Sequence, residues 1–181
     1  MKKLLTLALI SLLSIACKQG KQQEISSSNA VTIAKIDVAK AFGTSETLKK
    51  ISSELLVPME IVEPNSMLVT NKYGLEFGGN CYACDVANIL IDGEMITLMN
   101  ACDLHSQISY TIESVEEKDK QISIHTKSHT FVFEQVEDYP MYSLKVVGDE
   151  IDESMFREAS FYTLRSLLET FEVHNCGDFE G

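Results

Sequence analysis

Between Met67 and Val147 the apolar residues recur at every second position, and that period restricts the fold more than any other feature of the chain. Period two is the signature of a strand with one face buried and one face wet. Met67–Thr70 and Tyr73–Phe77 read as short strands. Val86–Ile91 and Met95–Met99 flank Asp92-Gly93, a hairpin turn signal. Ile108–Val115, Gln121–His125, Thr130–Val136 and Tyr142–Val147 continue the series, rich in Ile, Val, Thr, Tyr and Phe. Glu116-Glu-Lys-Asp-Lys120 sits between two of them as a turn. The pattern predicts an antiparallel meander, either an open sheet or a small barrel.

Helical periodicity flanks this run. Leu48, Ile51 and Leu55 lay one apolar stripe over residues 44–56, with Thr44 or Ser45 to cap it and Pro58 beyond its end. Phe161, Leu164, Leu168 and Phe171 make a second stripe, reinforced by Met155 and Leu167. It predicts a helix over 152–173, capped by Asp152, with Glu153 paired to Arg157 one turn on. The class expected is therefore α+β: a meander with an N-terminal helix and a packed C-terminal helix.

The chain begins Met1-Lys-Lys3, followed by an apolar run from Leu4 to Ile15 that is too short to span a bilayer. It ends in Leu13-Ser-Ile-Ala-Cys17. This segment resembles the signal peptide and lipobox of bacterial lipoproteins. The resemblance implies removal of residues 1–16 and attachment of diacylglycerol and an acyl chain such as palmitate at Cys17. Several acyl chains make a stable membrane anchor, whereas one alone is marginal. Lys18 is not the aspartate that retains lipoproteins in the inner membrane of enteric bacteria, which implies the outer membrane. The polar stretch from Lys18 to Glu24 also resembles the export tethers of some surface lipoproteins, so the periplasmic face and the cell surface both stay open. Residues 17–29 then read as lipidated cysteine and flexible tether, and residues 30–181 as one globular domain.

The formal charge is −12, from 15 basic and 27 acidic residues, and loss of Lys2 and Lys3 makes the mature chain more acidic still. An acidic surface argues against nucleic acid and suits a basic protein partner.

The chain has five cysteines. With Cys17 lipidated, Cys81, Cys84, Cys102 and Cys176 remain, an even number for an oxidising compartment. A two-residue Asp92-Gly93 turn pairs Ile89 with Ile96, Ala87 with Leu98, and Cys84 with Ala101. A three-residue loop sets Cys84 opposite Cys102. Either way these two cysteines share one end of the hairpin, close to disulfide range. A Cys84–Cys102 bond would leave Cys81–Cys176 as the second pair.

Two other readings use the same residues. Cys81-x2-Cys84 and Cys102-x2-His105 have the two-knuckle spacing of a zinc ribbon with a hairpin between, so Cys81, Cys84, Cys102 and His105 form a candidate zinc site. The knuckles lack the glycines usual in zinc ribbons. Cys81-Tyr-Ala-Cys84 is also the spacing of thiol–disulfide oxidoreductases, but such a pair sits at a helix start, and Val86–Ile91 reads as strand. Gly79-Gly-Asn-Cys81, the Asp92-Gly93 turn and Met99-Asn-Ala-Cys102 resemble META-domain envelope lipoproteins, with Asn80 and Cys81 in the reverse order from that family's motif.

His125 and His129 look like a chelating pair. Matching Ile124 with Phe131 and Ile122 with Phe133 instead puts His125 opposite Thr130 and His129 in the turn, both as surface histidines. No Gly-x-Ser-x-Gly, His-Glu-x-x-His, phosphate-binding loop or EF-hand loop occurs. The expectation is a non-catalytic envelope lipoprotein with a binding role, of inhibitor or immunity type. Zinc binding and thiol–disulfide exchange are the alternatives.

Overall fold

The alternating run folds as a ladder of antiparallel strands in chain order. The structure, a computed structural model, describes residues 45–75, 84–136 and 141–171, all within one compact unit. Its strands are β1 (Leu56–Ile61), β2 (Tyr73–Leu75), β3 (Ala87–Ile91), β4 (Met95–Asn100), β5 (Gln107–Lys118), β6 (Gln121–Thr126), β7 (His129–Gln135), β8 (Met141–Gly148) and β9 (Phe161–Leu164). Each strand from β3 to β9 pairs with the next, and β9 then pairs with β1 from Leu56↔Leu164 to Met59↔Phe161. Leu56↔Ile89 joins β1 to β3 and closes an eight-stranded barrel. β2 adds to β1 at Met59–Ile61, outside the ring. Pro58 falls between the β1 residue that meets β3 and those that meet β2, where a missing N–H breaks no bond on that flank.

The α+β expectation is overturned, because strands dominate and the helices are short. The N-terminal helix is α1 (Glu46–Ile51), capped by Ser45, whose Oγ accepts from the Leu48 N–H at 2.8 Å. It stops before Leu55, and Leu56 already belongs to the barrel. Met67–Thr70 is not a strand; it leads into α2 (Val69–Lys72).

No helix spans 152–173. That segment holds α3 (Glu153–Phe156), strand β9 and a 3-10 helix (Arg165–Thr170). Phe-Tyr-Thr-Leu is a β-prone sequence, and its Tyr162 and Leu164 alternate into the interior. Its greater reason for extension is tertiary: β8 and β1 each have an edge that, among the described residues, this segment covers. The cap survives, as Asp152 accepts from the Ser154 N–H.

Strand alternation gives the barrel two ends. The base carries the β3–β4 and β5–β6 turns. The rim carries the β1–β2, β4–β5, β6–β7 and β8–β9 connections. The first hairpin is set differently from expectation, with Ile91↔Ile96, Ile89↔Leu98 and Ala87↔Asn100. Its turn residues are Gly93-Glu94, closed by Asp92 N–H to Met95 O at 3.2 Å. Gly93 has φ 96°, which suits the first central position of a type II′ turn. The Asp92 carboxylate accepts from the Glu94 and Met95 N–H groups at 3.0 and 2.8 Å. Asp92 therefore caps the turn from outside it, where the sequence reading counted it within. The β6–β7 pairings Ile122↔Phe133, Ile124↔Phe131 and His125↔Thr130 match expectation. A bulge at Glu113 separates Ile112↔Thr126 from Ser114↔His125.

The interior is filled by the chain's own side chains. Tyr142, Tyr162, Phe131, Phe133, Ile89, Ile91, Ile96 and Leu98 are wholly or almost wholly buried there, and Leu48 and Ile51 of α1 join them. Burial raises the Tyr142 hydroxyl pKa above its ordinary value. A smaller cluster packs on the outer wall: Met59, Tyr73, Met141 and Phe171, with Val69, Leu167 and Leu168 against them.

Candidate functional site

The polar chemistry of the fold gathers at the rim, and Asn100 organises it. The inward side of β4 reads Ile96, Leu98, Asn100, so the apolar series breaks at its last member. Asn100 is only 4% exposed. Its Nδ2 donates to the Cys84 carbonyl and, at 2.9 Å, to the Met155 carbonyl. Its Oδ1 accepts from the Cys102 and Asp103 N–H groups at 3.0 and 2.9 Å. One amide thus ties three rim segments, a stabilising use for a buried polar group with every bond made.

Cys84 and Cys102 are joined as a disulfide beside this hub, with Cα atoms 5.1 Å apart and both residues exposed. Cys17, Cys81 and Cys176 lie outside the described residues, and so do the lipidation and the Cys81–Cys176 expectations. A sulfur committed to a disulfide is not a thiolate donor, so Cys84 and Cys102 do not serve the zinc set in this state. His105 is exposed, with its backbone N–H donating to Asp103 Oδ1 at 3.1 Å. Among the described residues no group of three His, Cys, Asp or Glu side chains is arranged to hold a metal ion.

The β8–β9 connection crosses the rim and is stitched to β3. Arg157 N–H donates to Asp85 O at 2.7 Å and Ala87 N–H to Arg157 O at 2.9 Å, a parallel bridge next to Val86. The Arg157 Nε donates to Asp85 Oδ2 at 2.7 Å. That bond is the main cause holding the Asp85 carboxyl below its usual pKa. The expected Glu153–Arg157 helix pair gives way to this one because α3 ends at Phe156, before Arg157. Tyr162, fully buried, accepts from the Ala159 N–H at 2.9 Å and donates to Ala87 O at 3.1 Å.

His129 departs from the surface reading. It opens β7 and is 5% exposed, while Lys127-Ser128 makes the turn. Its Nε2 lies 3.0 Å from Asp149 O and its Nδ1 2.7 Å from Ser128 Oγ. Tyr110 stacks edge-on against the ring at 4.6 Å, and Phe131 lies beyond. The Ser128–His129 distance is that of a nucleophile and its base. Here, however, aromatic rings cover the imidazole, and its bonds pin the β6–β7 turn to the β8–β9 connection. His125, half-buried on the outer wall, bonds Thr130 Oγ1 at 3.1 Å, and its Nε2 is 3.7 Å from Glu116 Oε1.

Among the described residues, three depressions run between the crossing segment and the barrel. The largest, about 540 Å³, is lined by Val146, Gly148–Glu153 and Glu158. One of about 360 Å³ lies along Leu144–Val146, Glu153 and Arg157–Ser160. One of about 240 Å³ is lined by Met59–Ile61, Arg157, Glu158, Ser160 and Phe161. All three include Glu158. Burial, and after it the Glu158 charge, raises the Tyr110 hydroxyl pKa. The lining of the largest is predominantly carboxylate, with Asp149, Glu150, Asp152, Glu153 and Glu158, and the neighbouring depression sets Glu153 and Glu158 beside Lys145 and Arg157. Asp152 and Glu153, expected at a helix start, also line this groove, which only the crossing of the rim makes concave.

Among the described residues no helix is long and apolar enough to cross a membrane. Comparison with known proteins finds no family model, no curated protein and no solved structure that matches this chain.

Proposed function

We propose that the chain is an envelope lipoprotein, anchored through acylated Cys17, whose barrel is a non-catalytic binding module for a basic protein. The supporting observation is the set of three depressions that meet at Glu158, with carboxylates lining the largest. A barrel whose interior is filled by Phe131, Phe133, Tyr142 and Tyr162 leaves recognition to its outer surface. An acidic groove recognises lysine and arginine by complementary potential, which sets specificity and speeds association. An inhibitor or immunity role follows from such binding when the partner is a secreted basic protein. Thiol–disulfide exchange has less support: Cys84 bonds Cys102 and stands ahead of a strand, without the helix N-terminus that stabilises a reactive thiolate.

Two measurements test the reading. Cys17→Ser should move the protein from the membrane to the soluble fraction, and unchanged membrane retention would remove the anchor. Binding to poly-L-lysine should weaken steeply with added salt and fall about tenfold in Glu153→Lys/Glu158→Lys. Binding indifferent to both would sink the electrostatic part.

A further inference from the structure

The large hydrophobic side chains that stay exposed among the described residues are Ile61, Met67, Leu68, Leu104, Val147 and Met155. All of them lie at the rim. Ile61 and Val147 are at the rim ends of β1 and β8, Met67 and Leu68 in the β1–β2 connection, Leu104 in the β4–β5 loop, and Met155 in α3. Scattered single apolar residues on a surface need no explanation, but confinement to one end does.

The most exposed pair is Met67-Leu68, at 96% and 63%. It is held out by an ordered turn. Val62 N–H donates to Lys72 O at 2.9 Å and closes the base of the excursion. Ser66 N–H donates to Glu63 O, and Ser66 Oγ accepts from the Leu68 N–H at 3.2 Å. Lys72 N–H donates to Leu68 O at 2.9 Å. The next residue, Val69, packs into the outer cluster. The same turn therefore buries one apolar side chain and presents two others to solvent in a set geometry. Ile61, at the foot of this excursion, is 42% exposed and shares a depression with Glu60 and Glu158. Ile61 therefore lines the depression that includes Glu158 and stands at the foot of the excursion that carries Met67 and Leu68.

We propose that Met67 and Leu68, with Ile61, are the apolar half of one docking surface whose other half is the Glu158 groove. Its occupant is a protein surface that carries lysine or arginine beside exposed apolar side chains. This rests on the binding role proposed above and specifies the partner's chemistry. Charge complementarity selects the occupant. A second copy would bring its own carboxylates against this groove, and an anionic lipid surface would be repelled by it.

The test uses the full-length chain and two synthetic peptides of equal positive charge, one alternating Lys and Leu, the other Lys and Ser. The Lys/Leu peptide should bind at least about tenfold tighter. That advantage should vanish in Met67→Ser/Leu68→Ser, while Lys/Ser binding stays unchanged. Both side chains are exposed, so the variant should keep the wild-type melting temperature. If the two peptides bind the wild type equally, or the advantage survives in the variant, the apolar half is refuted and the groove reading stands. If neither peptide binds, both readings fail. If zwitterionic phosphatidylcholine vesicles bind the non-acylated Cys17→Ser chain in a Met67/Leu68-dependent way, the tip is a membrane contact and the protein partner is overturned.

Discussion

The two ends of the barrel are built by different means. At the base, tight turns between sequence neighbours close the hairpins, with a longer-range tie from Glu54 to Ser166 beside them. Gly93-Glu94 turns β3 into β4 with Asp92 as its cap, and Asp119-Lys120 turns β5 into β6, with Asp119 at φ 55°. Glu54 reaches the start of the 3-10 helix, where its carboxylate accepts from Ser166 N–H and Oγ, both at 2.7 Å. At the rim, residues distant in sequence do the work. Asn100 joins Cys84 to Met155, Asp85 holds Arg157, and Tyr162 spans to Ala87. Among the described residues the large exposed apolar side chains, Met67 and Leu68 foremost, lie at the rim, which also carries the carboxylate-lined groove. A base that local turns can close tolerates little variation in form. A rim assembled from long connections can carry a binding surface, because its shape is set by tertiary bonds and its outer side chains are free to vary.

The sharpest way to break this contrast is one substitution made at both ends. Gly148→Ala at the rim should cost about 3 kcal/mol or more, since its Cβ would lie 2.1 Å from the Ser128 carbonyl oxygen, at φ 146°. Gly93→Ala at the base should cost about 1–2 kcal/mol, from positive φ alone. Urea unfolding of both variants compares them directly. Equal costs would mean that the rim relaxes as freely as a turn.

Asn100→Ala comes between them, at about 2–3 kcal/mol, because it orphans backbone groups buried under the crossing segment. Hydrogen exchange should show the loss concentrated in 84–88, 100–106 and 152–160, with the β3–β4 turn protected as before. Uniform loss would show that the two ends are one cooperative unit.

The smallest effect belongs to the Asp85–Arg157 pair, whose side chains are about one-third exposed. Solvent screening leaves it under about 1 kcal/mol. The Asp85 carboxyl titrates below its ordinary 3.8, so its contribution is complete above that value and is lost as pH falls through the lowered native one. Asp85→Asn should therefore lower the melting temperature slightly at neutral pH and flatten its decline in acid. An unchanged acid decline would assign it to other carboxylates.

Much of the barrel wall was legible from period two. The β6–β7 register follows from matching Ile122 and Ile124 to Phe133 and Phe131, since a one-residue slip would turn both pairs to water. Pairing of Cys84 with Cys102 was legible because the hairpin brings both to one end in either register considered. The tail was misread because Phe161, Leu164, Leu168 and Phe171 satisfy a helical period by accident of a strand followed by a 3-10 turn. Nothing local in those residues states that β8 and β1 have edges waiting. His129 was misassigned for a similar reason: whether a histidine beside a turn is exposed depends on Tyr110 of β5 and Asp149 of the β8–β9 connection, which arrive from elsewhere in the chain. Asn100 left a visible trace as the polar break in the Ile96, Leu98 series, a signal that calls for a partner in the interior.

By itself the sequence determined most of the alternating strands and their order, a helix cap at Thr44 or Ser45, the Asp152 cap and the acidic charge, because each is read from residue types and near neighbours in the chain. Tertiary structure decided that the sheet closes, that Phe161–Leu164 is its last strand, and that five carboxylates line a groove around Glu158. The physical reason is that an unpaired strand edge and a concave surface are properties of segments far apart in the chain, and no local period records them.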